Sequence, residues 1–256
     1  MTFNLRRAAA LSALFLPFAA AGGTGVEVEI LDRKSGRALP VYWHEGERHV
    51  AGEPGREYEI RLRNRHGGRV LAVTSVDGVN VITGKTASPR QSGYVLDPWG
   101  LVEIDGWRKS MEEVAAFYFT RLPDSYAART GRPENVGVIG VALFHERLYV
   151  MPAGDEYALD AVPPSTAAGS AAQSKAAHPS DSAREESRLG TGHGRRLDSG
   201  AVYTHFERAS EEPDEVIRIY YDSRKNLVAR GIVPPPWYRV ADRQPDPFPQ
   251  GFVPDP

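Results

Sequence analysis

The sequence predicts an all-β, sandwich-like antiparallel domain with one or two short helical turns. Residues 114–120 and 136–144 are apolar on both alternating faces, which is typical of strands covered on both sides in a core. Residues 56–65 alternate between apolar and charged side chains, the pattern of a strand with one face in water. Turn signals recur at intervals of about 8 to 12 residues, as they do in sandwiches and barrels. The alternative is an α+β domain, in which 110–114 or 125–129 extends into a helix.

The composition is that of an ordinary globular protein, and it excludes several classes of site. The chain has 256 residues, enough for one sizeable domain and additional segments. Its 31 lysines and arginines nearly balance its 33 aspartates and glutamates, so no strong field attracts nucleic acid, and we exclude nucleic acid as a partner. Cysteine is absent, which removes disulfides, thiolate metal sites and cysteine nucleophiles.

The N-terminus has the pattern of a secretory signal peptide, which we place at residues 1–21. Arg6 and Arg7 precede an apolar run at 8–18, and three alanines ending at Ala21 follow it. The alternatives are an uncleaved membrane anchor and a buried helix. We expect cleavage near Ala21, contact with the membrane only during export, and a periplasmic or secreted mature chain without another run of about 18 apolar residues.

Strands and turns follow in a domain that we place at residues 25–162. Before residue 66, strands are predicted at 26–31, 41–43 and 56–65, the last with Tyr58, Ile60 and Leu62 on its apolar face. Asp77-Gly78 predicts a type I′ hairpin. Its predicted cross-strand pairs are Val76 with Val79, Ser75 with Asn80 and Val73 with Ile82.

Asp105-Gly106 predicts a second hairpin. It would pair Ile104 with Trp107 and Glu103 with Arg108. Residues 110–113 read Ser-Met-Glu-Glu, the S-x-x-E form of a capping box, and predict a competing helical turn. Residues 125–129 predict another.

The composition changes around Pro163. Residues 163–200 are rich in alanine, serine, glycine and charge and predict a flexible linker, including the basic patch at 190–196. Three strands are predicted beyond it, at 201–210, 215–222 and 226–234, with a turn at 222–226. They form a small β module at 201–233 that we expect to dock on the main domain or on a partner, because its core is small. Residues 234–256 are a proline-rich extended tail.

Catalytic motifs are absent. His44 and His49 are weak candidates for metal ligands, but the helical zincin motif places its histidines at i and i+4, whereas these lie five positions apart with a glycine between them. An exposed, charged hairpin tip explains the same residues. No G-x-S-x-G nucleophile elbow is present, and we predict no cofactor.

Aromatic residues near predicted turns are the candidates for binding. Tyr94, Trp99 and Trp107 could stack on a sugar or anchor a partner, with Arg108 as the polar companion of Trp107. The alternative for each ring is a position in the core, where tryptophan is usually found.

Residues 58–144 resemble a family of uncharacterised exported bacterial proteins. The resemblance is carried by the stretches SVDGVNV (75–81), GYVL (93–96), GWR (106–108), SYAARTG (125–131) and NVGVIGVA (135–142). It covers about a third of the chain and extends, less securely, to GTGHGRR and RIYYDSRKNLVARG near the C-terminus. It implies export and a shared domain, without catalytic residues or a cofactor.

Three functions are compatible with these observations. The first is a non-catalytic exported protein of the envelope or secreted fraction that binds another protein through aromatic turns or an exposed sheet edge. The second is a carbohydrate-binding module. The third is a hydrolase, with metal-assisted hydrolysis as one form of it. The first is our prediction, with another envelope protein or a glycan as the partner.

Overall fold

The computed structural model describes residues 25–148 and 188–235, which form two β-sheets packed face to face. In chain order, the strands are β1 (Val26–Asp32), β2 (Arg37–Ala38), β3 (Val41–His44), β4 (Glu47–Gly52), β5 (Glu57–Asn64), β6 (Val70–Val76), β7 (Val79–Asn80), β8 (Tyr94–Leu96), β9 (Leu101–Ile104), β10 (Gly106–Arg108), β11 (Glu113–Arg121), β12 (Val138–His145), β13 (Leu189–Asp198) and β14 (Glu215–Ser223). The helices are α1 (Tyr126–Arg129), α2 (Arg224–Ala229) and 3-10 turns at Leu122–Asp124 and Pro133–Asn135. The prediction of an all-β, sandwich-like fold with short helical turns is confirmed.

Each sheet has seven strands. The first runs β10-β11-β5-β1-β2, with β13 also paired to β11 and β9 also paired to β5. The second runs β3-β4-β14-β12-β6-β7, with β8 also paired to β6. The pairing is antiparallel apart from β14 and β4, which run parallel.

The core lies between the sheets and follows the alternation of the sequence. Tyr58, Ile60 and Leu62 of β5 are buried against residues of the second sheet such as Ile139 and Ile219, while the charged residues of β5 face outward. The predicted central strands are confirmed as β11 and β12. The outer face of β12 is also covered, since Ala142 and Phe144 pack with Leu71, Val73 and Phe206.

The hairpin at Asp77-Gly78 is confirmed. Both residues have positive φ, 52° and 71°, and Val76 pairs with Val79 and Ser75 with Asn80. The predicted pair of Val73 with Ile82 is wrong, because β7 ends after Asn80. The Asn80 carboxamide oxygen accepts hydrogen bonds from the next backbone amides and turns the chain.

The second predicted hairpin, at Asp105-Gly106, is wrong. β9 pairs with β5 and β10 pairs with β11, so the two residues join strands that have different partners. Gly106 is required by close packing instead, because a Cβ there would lie 2.0 Å from the carbonyl oxygen of Ala115. Ser110 does cap backbone amides, those of Glu112 and Glu113, but it closes the turn between β10 and β11 and begins no helix. Residues 125–129 do form a helical turn, α1, capped by Ser125.

The linker prediction is wrong for its last part, which forms β13. This strand has ten residues and pairs with β11 from Arg121–Leu189 to Glu113–Asp198. Its alternating glycines resemble a linker in composition, but they leave room for neighbours: a Cβ at Gly190 would lie 2.6 Å from Cβ of Ser125, and one at Gly192 would lie 2.2 Å from the Tyr118 ring. Residues 163–187 of the predicted linker lie outside the described residues.

The prediction of a separate C-terminal module is also wrong, because the strand β14 belongs to the main sandwich. β14 lies between β4 and β12 and contributes Ile217, Ile219 and Tyr221 to the common core. The strand predicted at 226–234 is wrong: residues 224–229 form α2, whose N-cap is Ser223. Residues 201–208 form no strand, and Arg208 makes one isolated bridge to Glu146.

The sandwich therefore needs two separate parts of the chain, 25–148 and 188–235. The predicted signal peptide (1–21) and all but the first two residues of the predicted tail (234–256) lie outside the described residues. None of the helices in the described parts has the length and apolarity needed to span a membrane.

Candidate functional site

A groove of about 780 Å³ opens between β8 of the second sheet and β9 of the first. Its floor and walls come from β8, β9, the loop 90–93 and the segment 199–208. Four arginines line it: Arg69, Arg90, Arg108 and Arg208. We call it the arginine groove.

Tyr94 and Arg108, which the sequence predicts as binding residues, meet in this groove. Nη2 of Arg108 donates to the Tyr94 hydroxyl at 3.0 Å, and Nη1 donates to the carbonyl oxygen of Ser199. Burial raises the pKa of Tyr94, so its hydroxyl keeps a proton. Since that oxygen accepts from Arg108, its own hydrogen can be donated to a ligand.

Arg208, like Arg108, is a half-buried arginine of the groove. Its guanidinium lies 4.3 Å from the centre of the Phe144 ring, and Nη2 donates to the carbonyl oxygen of Gln91 at 2.7 Å. Neither Arg108 nor Arg208 has a carboxylate within 4 Å in the described parts of the chain. The groove therefore holds two guanidiniums without a carboxylate partner among the described residues.

The other two arginines of the groove already have carboxylate partners. Arg69 pairs with Glu146 and lies 3.6 Å from Asp97. Arg90 lies 3.8 Å from both Glu211 and Glu212. The positive charge available to a ligand therefore comes from Arg108 and Arg208.

Open strand edges border the groove. β8 pairs only with β6, and β9 pairs only with β5, among the described residues. Val95 of β8 and Val102 of β9 both line the cavity. Backbone N–H and C=O groups on the outer edges of these strands are available to another extended chain.

Trp99 lies on the turn that joins these two edges. The amide of Gly100 donates to the carbonyl oxygen of Asp97 at 2.9 Å, and Pro98 and Trp99 occupy the central positions of the turn. Trp99 has φ 60° and is 69% exposed. With proline second and positive φ third, the turn is of type II, whose third position is normally glycine. A bulky residue there costs roughly 1–3 kcal/mol, and such strain is concentrated at functional sites.

Trp107 does not join the groove, and the prediction that it binds a ligand is wrong. Its position on β10 turns the ring into the core, where it is 3% exposed and packs against Phe117 and Tyr126. Its Nε1 donates to the carbonyl oxygen of Gly192 at 3.0 Å. The residue that the sequence reasoning missed is Arg208, because the segment carrying it was assigned to a separate module.

A buried polar chain connects the hairpin turn to three strands. Asp77 accepts hydrogen bonds from the Tyr221 hydroxyl, the amide of Gly137 and the amide of Thr191. The Thr191 hydroxyl lies 2.7 Å from the hydroxyls of both Tyr221 and Tyr58. If Tyr221 donates to Asp77, the order of donation is Tyr58 to Thr191 to Tyr221 to Asp77, which uses every hydroxyl proton.

Burial raises the pKa of the Asp77 carboxyl to about 6, against the lowering effect of the three hydrogen bonds. Asp77, Thr191 and Tyr221 are almost fully buried. The polar chain therefore ties the sandwich together and offers no group to a ligand on the surface.

The two weak metal candidates lie on neighbouring strands. His44 ends β3 and His49 lies in β4, with ring centres 6.3 Å apart. In the described residues, no group of three or more His, Cys, Asp or Glu side chains could hold a metal ion.

No protein-family model, curated protein or solved structure matches this chain. The function therefore has to be argued from the groove itself.

Proposed function

We propose that this chain is a non-catalytic exported binding protein whose arginine groove takes an extended acidic segment of a partner protein. The observation that carries the proposal is the pair Arg108 and Arg208, two guanidiniums without a carboxylate partner in one groove. Guanidinium groups match carboxylates in geometry and charge, and such hydrogen bonds are about twice as strong as neutral ones. Export is supported by the signal-peptide pattern of residues 1–21.

The open edges of β8 and β9 favour a peptide over a sugar. An extended peptide can add a strand to a free sheet edge, so that main-chain hydrogen bonds give affinity and alternate side chains give specificity. Val95 lies on one such edge and Arg108 and Arg208 in the same cavity, so acidic side chains of an added strand could reach the guanidiniums. A sugar would use the arginines but not the strand edge.

Trp99 supplies the apolar anchor. It is exposed on the turn between the groove-lining residues Asp97 and Val102, in a backbone conformation that glycine would adopt without strain. Tryptophan and arginine are the residues that most often dominate binding energy at protein interfaces. Contact with a partner would explain why a bulky, exposed ring is kept at a position where the backbone is strained.

The direct test is the binding of a fluorescein-labelled hexapeptide of alternating glutamate and valine, followed by anisotropy. Arg108→Gln and Arg208→Gln should each weaken binding by about tenfold or more, because each loses a charge-assisted hydrogen bond. Arg37→Gln is the matched control: Arg37 is an exposed arginine on β2, at the far edge of the first sheet, and its loss should change nothing. Binding should also weaken as salt is added.

A second variant tests the anchor. Trp99→Gly should weaken peptide binding while raising the melting temperature, because glycine relieves the positive φ and the lost ring is mostly exposed. Peptide binding that is unchanged in the Arg108 and Arg208 variants would contradict the proposal. Binding of an oligogalacturonate instead of the peptide would favour the carbohydrate-binding alternative.

A further inference from the structure

A second, smaller cavity of about 290 Å³ lies where β4, β14 and β12 meet the start of β13. Its walls include His49, Tyr220, Asp222, Arg188 and Arg230. It shares no lining residue with the arginine groove.

His49 is buried without a hydrogen-bond partner. The side chain is 1% exposed, and neither ring nitrogen has a partner in the described parts of the chain. The ring lies between neighbouring strands and stacks on Tyr220, with ring centres 5.6 Å apart. The nearest carboxylate oxygen, on Glu47, is 3.6 Å from Nε2, which is too far for a hydrogen bond. An unpartnered buried polar group costs roughly 1–3 kcal/mol, so a ligand that contacts it gains that energy.

The groups around His49 offer donors and few free acceptors. Arg188 uses one Nη to donate to the carbonyl oxygen of Val136 at 2.7 Å, which leaves its other N–H groups available. The side chain of Arg230 has no hydrogen bond or ion pair within residues 25–148 and 188–235. Two carboxylate residues lie in the wall. Oδ1 of Asp222 accepts from the amides of Leu189 and Ser223 and from the Asn226 side chain. Glu134 is exposed and has no ion pair within the described residues.

We infer that this cavity binds a small tetrahedral oxyanion, of the sulfate or phosphate class, through His49, Arg188 and Arg230. Two guanidiniums and one imidazole line the same cavity, which has room for such an ion, and all three are donors when the imidazole is protonated. The phosphate could be a free ion or the phosphoryl group of a larger molecule, since the cavity opens to the surface beside the exposed Arg230.

Binding of the anion should be coupled to protonation of His49. The titratable and charged groups that face this ring or line its cavity are Glu47 on its own strand, His44 on β3, Tyr220 and Asp222 on β14, Glu134, Arg188 and Arg230. Burial and the charge of Arg230 lower the pKa of His49, and Glu47 opposes them. A bound dianion stabilises the imidazolium, so the affinity for sulfate should fall as the pH rises. Sulfate is the suitable probe because its own charge is constant in this pH range.

The test uses the full chain labelled with ¹⁵N-histidine and a titration with sodium sulfate at constant ionic strength. The ring nitrogen resonances of His49 should shift with a midpoint at about 1 mM sulfate, the range of a weak specific site. Arg230→Gln should weaken sulfate binding by about tenfold while the His49 resonances stay visible. Tighter binding of glycerol phosphate than of inorganic phosphate would identify a phosphoryl group rather than a free ion.

Two controls separate this site from the groove. His49→Phe keeps the ring stacked on Tyr220 and removes the nitrogens, and calorimetry should then show no heat of sulfate binding. Arg208→Gln, in the groove, should leave sulfate binding unchanged. The inference is overturned if the His49 resonances do not move at about 10 mM sulfate, tenfold above the expected constant. It is also overturned if His49→Phe binds sulfate as the unaltered chain does.

Discussion

Asp77 occupies a position in a hairpin turn, and its carboxyl group is buried. The sequence predicted the turn, because Asp-Gly between apolar residues is a local signal. It could not predict the buried partners, which are 60, 114 and 144 positions away along the chain at Gly137, Thr191 and Tyr221. Local patterns of hydrophobicity specify which face of a strand is buried, but they carry no information on which distant polar groups meet there.

The first prediction concerns the pH dependence of stability. The pKa of Asp77 rises from 3.8 in the unfolded chain to about 6 in the folded protein, so the folded state binds this proton more tightly. The stability that this provides is complete below pH 4 and is lost as the pH rises through 6. The loss between pH 4 and pH 8 should be roughly 2–3 kcal/mol. Urea unfolding across this range measures it.

Two variants distinguish the charge from the rest of the polar chain. Asp77→Asn should lower stability at pH 5, since its amide opposes the Thr191 N–H, and should remove the part of the pH dependence that comes from this site. Tyr221→Phe removes a donor that lowers the pKa of Asp77, so the loss of stability should extend to higher pH. An Asp77→Asn protein with the pH profile of the unaltered chain would contradict this account.

At the scale of elements, the predictions succeeded where side chains are large and failed where they are small. Tyr58, Ile60 and Leu62 of β5 alternate clearly with charged residues, and the strand was predicted almost to its ends. β13 has glycine at 190, 192 and 194, so it lacks the apolar alternation that identifies a strand. These glycines are required because neighbouring side chains occupy the space where a Cβ would lie. That reason becomes visible only when the neighbours are known.

The second prediction tests whether residues 189–198 form a strand or a linker. Gly190→Ala should cost about 1–3 kcal/mol, because the new Cβ would lie 2.6 Å from Cβ of Ser125 and 2.7 Å from a methyl group of Val136. Gly200→Ala is the control: a Cβ at Gly200 meets no atom within 4 Å, and its effect should stay within about 0.5 kcal/mol. Thermal unfolding compares the two. Equal stability of both variants would restore the linker interpretation.

At the scale of the whole molecule, the position of β14 explains why the site was only half predicted. β14 fills the space between β4 and β12, so residues 188–235 complete the sandwich and also bring Arg208 to the groove. Tyr94 and Arg108 were found because they precede the change in composition at Pro163. Arg208 was not, because a change in composition looks like a domain boundary even where the chain returns to the same core.

The last prediction follows from this topology. A fragment of residues 25–162 lacks β13 and β14, so the inner faces of β4 and β12, including Val50 and Ile139, lose their neighbours. Alone, the fragment should show no cooperative unfolding transition, because a sheet missing a central strand cannot bury its core. Co-expressed with residues 188–256, it should co-purify as one species that unfolds cooperatively. If residues 188–235 were instead a separate module, the first fragment would unfold cooperatively without the second, at the melting temperature of the intact protein, and the two would separate on a sizing column.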